Sequence, residues 1–191
     1  MAYVTLLERP KGLVSKVAFR YSRRRFGRPV EPVQAAAHHA GVLVAAGLVE
    51  SAAERGWRRL DPGLRLLAVQ AAAARIGCSW CMDFGHYESL RRGADPRKVR
   101  EVARFRESDA YSEAERAVLE YTEAATATPA AVDEAVVARL RRHLGEAEIV
   151  ELAAWVALEN YRSRFNAGLG LHSQGFSDSC EVPEGGRARQ R

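Results

Sequence analysis

Two cysteines three residues apart, Cys78 and Cys81, stand in the stretch Arg75-Ile76-Gly77-Cys78-Ser79-Trp80-Cys81-Met82-Asp83-Phe84-Gly85-His86. Gly77 interrupts an Ala-rich helical run just before Cys78, which places the pair at the start of a new helix. Helix N-termini carry unpaired N–H groups and the positive end of the helix dipole, and both stabilise a thiolate. Residues three apart share one face of a helix. This is what a dithiol–disulfide redox pair requires: one thiolate attacks and the other resolves. Structural zinc needs two further ligands. His38, His39, His86, His143 and His172 do not repeat the half-site, so no metal and no cofactor is expected. A pair of ordinary buried cysteines, small and apolar, is the competing reading at this point.

The elements that must hold this pair are helices. Of 191 residues, 33 are Ala and only two are Ile, which disfavours β-rich folds. Pro32 suits a first helical turn, and Val33 to Glu54 reads as helix, broken near Gly41. Asp61-Pro62 and Asp95-Pro96 each read as N-cap plus first helical position. Gly77 and Gly93 read as helix stops. Ser112-Glu113-Ala114-Glu115 is a capping box. Val132 to His143 is in helical register, and the last strong helix runs from Glu146 to Ala167 with Ile149, Leu152, Ala153, Val156 and Tyr161 facing inward. No segment alternates with period two.

Charge is unevenly placed. Residues 1–30 carry eight basic side chains against Glu8 alone, while residues 31–180 carry 18 basic and 21 acidic ones. The chain divides into a basic N-terminal arm (1–30), one helical domain (31–176) and a polar, Gly-rich tail (177–191) that includes Cys180. A basic arm can meet nucleic acid or an anionic surface. Without a recognition module, packing on a neighbouring subunit is the preferred reading and nucleic acid is not expected. The longest apolar stretch, 41–49, is far below the roughly 20 residues of a membrane span, so a cytoplasmic protein is expected.

The segment from Cys78 to Gly85, with the Ala-rich helix before it, resembles the carboxymuconolactone decarboxylase and alkylhydroperoxidase D-like family. The run Ala157-Leu158-Glu159-Asn160-Tyr161-Arg162-Ser163-Arg164-Phe165-Asn166 resembles a sub-branch of it. The likeness covers about residues 30–176. It implies an all-α, alkylhydroperoxidase D-like helical fold and a homo-oligomer, a trimer or a hexamer. In the cysteine-bearing members it implies peroxide reduction or related thiol chemistry, with a dithiol as reductant. It also implies that Cys81, deeper along the helix, meets the peroxide, with Cys78 the less favoured alternative. The peroxidase members add a His four residues after the second Cys and a Glu twelve residues before the first. Those positions are Gly85 and Leu66 here, so the cysteines match and the proton relay does not.

A replacement base must lie within hydrogen-bond reach of a thiol. The titratable candidates are His86 and Glu159. His86 lies about 140° around the helix from Cys81 and about 80° from Cys78. Its nearness in sequence favours it, although a solvent-facing or interface His fits too. Glu159 could equally be an exposed carboxylate paired with Arg162. Trp80, Asp83, Asn160 and Arg164 are the candidate pocket residues; Asn160 and Arg164 share a helix face. The leading function is a cysteine-based oxidoreductase acting on a peroxide or small organic substrate. The alternatives are a lactone decarboxylase or other small-acid enzyme with bystander cysteines, and a helical assembly module whose cysteines sense oxidation. If the pocket is that of the family, His at Gly85 with Glu at Leu66 should raise peroxide turnover.

Overall fold

Asp61, Asp95, Ser112 and Asp133 each start a helix by accepting backbone N–H groups that the first turn leaves unpaired. In the computed structural model, which describes residues 2–177, these caps and the glycine stops divide the chain into helices joined by short turns. They are α1 (Gly12–Phe26), α2 (Glu31–Ala36), α3 (Ala40–Gly56), α4 (Pro62–Ile76), α5 (Ser79–Arg91), α6 (Pro96–Glu101), α7 (Glu113–Thr126), α8 (Glu134–Leu140) and α9 (Glu146–Gly168). A single 3-10 turn, Val102–Arg104, follows α6, and no strand occurs among the described residues. The capping box is complete: Ser112 accepts the Glu115 N–H and Glu115 accepts the Ser112 N–H.

The centre of the fold is α4, which packs against α9, α7 and α5. Leu67, Ala68, Gln70, Ala71, Ala72 and Ala73 are all buried. A helix buried nearly all round needs small side chains so that neighbours can approach its axis, and alanine supplies them. The main core gathers Leu140, Leu152, Val118, Trp155 and Val156 around Ala68.

Three local expectations change. The break between α2 and α3 falls at residues 37–39, ahead of Gly41, because His39 caps α3 by accepting the Val42 N–H at 3.2 Å. Helix α8 is shorter than Val132 to His143 because Asp133 is its N-cap. Tyr161 faces outward, 47% exposed, and stacks on Phe165.

The basic segment folds against its own chain. Phe19 of α1 is buried with Leu7, Ala36, Ala37 and Leu43, and the Tyr3 N–H donates to the Leu169 carbonyl. On the far side of α1 from Phe19, Leu13, Val17 and Tyr21 point outward and are exposed, as are Val44, Leu48 and Val49 of the adjoining α3. Cys180 and the tail from residue 178 lie outside the described residues.

Candidate active site

Gly77 ends α4 in a left-handed conformation, φ 80°, which a side chain would resist. The chain reverses there and Cys78 becomes the N-cap of α5. Its Sγ accepts the Cys81 N–H at 3.2 Å, taking the place that a Ser or Asp oxygen fills at other helix starts. The Cys81 thiol also donates to the Cys78 sulfur. That thiol, and then the backbone N–H, hold the Cys78 pKa below the ordinary value although burial opposes them. Cys81 goes the other way: burial pushes it well up, reinforced by the bond it donates and by the negative Glu159. These directions favour the thiolate at Cys78 and the proton at Cys81. Both are free thiols and both are buried.

Glu159 of α9 arrives from across the core. It is 3% exposed, so the exposed surface pairing does not hold. Its carboxylate accepts Ser163 Oγ at 2.7 Å and an Arg162 guanidinium N–H at 3.2 Å, and it lies in hydrogen-bond contact with Cys81. Burial raises its pKa, and the Arg162 charge works against that rise. Asn166 completes the cluster by donating from Nδ2 to Cys81 Sγ at 3.3 Å. Glu159, Ser163 and Asn166 are spaced i, i+4, i+7. They form a polar stripe along one face of α9, a signal present in the sequence.

The other candidates lie elsewhere. His86 is buried on α5 between the charges of Asp83 and Arg100, and burial depresses its pKa. The thiols are acted on by each other, Glu159, Ser163 and Asn166. Asp83 is fully buried and accepts the Phe176 and Ser177 N–H groups at 3.0 and 2.6 Å. Trp80 stacks on Phe84 and donates from Nε1 to Gln174 Oε1 at 2.9 Å. These two residues pin the 171–177 segment over the first turns of α5. Leu171, Val30 and Phe176 pack with the cysteines as part of the resulting cover. Asn160 and Arg164 bond Thr126 and Thr128, at and just beyond the end of α7, away from the thiols. Among the described residues no group of three or more His, Cys, Asp or Glu side chains is arranged to hold a metal.

With the geometry in place, comparison with known proteins decides the family. The carboxymuconolactone decarboxylase family model matches residues 43–124. An uncharacterized protein of Escherichia coli K12, YnjA, is 32% identical over 162 residues, covering 85% of this chain and 87% of its own. The chain belongs to the carboxymuconolactone decarboxylase family. Solved structures share its helical fold. The debrominase Bmp8 superposes with a TM-score of 0.75 at 23% identity, covering 85% of this chain and 87% of its own. A peroxidase-related protein with an alkylhydroperoxidase D core from Ralstonia eutropha JMP134 gives 0.78 at 18% identity, covering 95% of this chain and all of its own. Within this family fold, Leu66 leaves the usual Glu position without a titratable group. Gly85 leaves the His position without room: a Cβ there would run into the side-chain oxygen of Gln70, whose Nε2 donates to the Met82 carbonyl at 2.9 Å. A His at residue 85 therefore requires the Gln70 side chain to move. A buried glutamine carries no periodic or motif signature that would mark it in the sequence.

Proposed function

We propose that this family member is a dithiol–disulfide oxidoreductase that reduces peroxides through Cys78 and Cys81, with Glu159 as the proton-handling group. The observation that carries the reading is the line of contacts from the capped Cys78 sulfur through the Cys81 thiol to the buried Glu159 carboxylate. The Cys78 thiolate attacks one peroxide oxygen, so that an S–O bond forms and the O–O bond breaks. The departing alkoxide takes the proton held by Glu159 and leaves as alcohol. Cys81 then passes its proton to the freed Glu159 carboxylate and attacks the Cys78 sulfenic acid; the S–S bond forms, and the departing hydroxide takes that proton from Glu159 and leaves as water. Peroxide and two thiols thus become alcohol, water and a disulfide, and a dithiol donor restores the pair.

The test is turnover of an alkyl hydroperoxide with a dithiol donor. Wild type should turn over, Cys78→Ser and Cys81→Ser should not, and Glu159→Gln should be at least about tenfold slower, since general acid–base help is typically worth 10²–10⁴. A wild type no faster than either serine variant overturns the reading. The likeness to a debrominase makes a bromopyrrole the second substrate for the same assay; its turnover in place of peroxide would change the substrate and keep the pair. Lactone turnover surviving both serine variants would support the small-acid alternative.

We also infer that the protein self-associates and works in the cytoplasm. The outward apolar residues of α1 and α3 support the first. In keeping with the second, no helix of the described residues is long and apolar enough to cross a membrane.

A further inference from the structure

Arg162 of α9 joins the redox cluster to the surface. One of its N–H groups reaches Glu159 at 3.2 Å, while two reach Glu50 of α3 at 2.7 and 2.5 Å. The guanidinium thus faces two carboxylates and makes the shorter, two-pronged contact with the one that does no chemistry. Bidentate pairing is the stronger geometry. Glu159 is left with a single longer ion pair in a buried place, and a buried carboxylate without full compensation favours its neutral form. The other charged groups at this end are Arg65 of α4, Glu54 of α3, Arg92 beyond α5 and Glu151 of α9. Arg65 is held by Glu54 and lies over the Trp155 ring, as Arg162 does. From the start of α5, Cys78 and Cys81 act on Glu159.

We propose that Glu50 and Arg162 are positioning residues that set the charge state of Glu159 from outside the redox cluster: Arg162 favours the carboxylate, and Glu50 holds Arg162 back from it. The proposal rests on the reading of Glu159 as the proton-handling group. Glu50 lies on an edge helix, its side chain 41% exposed, so the division of Arg162 between two acids makes α3 a means of adjusting the thiols without touching them.

Two substitutions must then act with opposite sign. In Glu50→Gln the guanidinium turns wholly to Glu159 and a neighbouring anion is lost; both favour charged Glu159. In Arg162→Gln the cation bonded to Glu159 is gone. The experiment is a ¹³C NMR titration of the Glu159 carboxyl in the reduced full-length protein, its resonance assigned with Glu159→Gln. The Glu159 midpoint should fall in Glu50→Gln and rise in Arg162→Gln, each by about half a pH unit or more, with Arg162→Lys between wild type and Arg162→Gln. A merely structural role would loosen the site and hydrate Glu159 in both variants, moving both midpoints down. Shifts of one sign, or no shift in Glu50→Gln, overturn the proposal. Should Arg162→Gln fail to fold, Glu50→Gln and Arg162→Lys still carry opposite expected signs. The titration uses no peroxide. Opposed shifts without peroxide turnover would keep this inference and sink the peroxidase reading, and turnover without opposed shifts would do the reverse.

Discussion

Cys78, at a helix N-cap, is lowered by the Cys81 thiol and then by a backbone N–H, whereas Cys81, one turn later, is pushed up by burial. That contrast separates Cys78 from Cys81, two residues of the same kind three positions apart. Below pH 8, partial alkylation followed by peptide mass analysis should find Cys78 modified and Cys81 intact; preferential labelling of Cys81 would reverse the roles. Glu159 gives a second expectation. Its folded-state pKa lies above its unfolded value because of burial. The folded protein therefore holds the proton more tightly, and this group's contribution falls as pH rises from the unfolded value through the folded one. Glu159→Gln removes that loss. Its melting temperature should gain on wild type as pH is raised from 4 to 8, and a constant difference across that range would contradict it.

Helix α5 is shaped by what α4 presses against it. Gln70 occupies the space over Gly85, so the glycine is there for contact; it is helical and has no unusual φ. Gly85→Ala should destabilise the protein by about 1–3 kcal/mol, the range for overpacking a well-filled site. In Gly85→Ala with Gln70→Ala most of that clash should vanish, giving a clear non-additivity in denaturant midpoints. Additive effects would mean that the two side chains do not meet.

Across the whole molecule, the largest unexplained feature is apolar surface facing outward on α1 and α3. Leu13, Val17 and Leu48 are 77%, 61% and 65% exposed, although both helices bury an inner face. Monomers rarely leave such a patch open. Light scattering at micromolar protein should give a mass above that of one chain. Val17→Glu with Leu48→Glu should lower it without unfolding, as read by circular dichroism. A wild type that scatters as a single chain would exclude the self-association. Lys16, Arg20 and Arg24 lie on the same helix as Leu13, Val17 and Tyr21, so the assembly should also respond to salt.

Local signals were enough for the helices and the cysteine turn. Asp-Pro caps, the Ser112 box and Gly77 act within a few residues of themselves, and backbone hydrogen bonding makes such effects readable in order along the chain. The likeness of Cys78–Gly85 to a family was readable for the same reason. Which titratable group meets the thiols was not. His86 is five residues from Cys81, yet the charges acting on it are those of Arg100 and Asp83, while Glu159, 78 positions away, acts on both thiols. Asn160 and Arg164 share a helix face, but the face that turns to the cysteines is the one carrying Glu159, Ser163 and Asn166. Helical spacing says which residues share a stripe. Only the packing of α9 on α4 and α5 decides which stripe is buried against the sulfur.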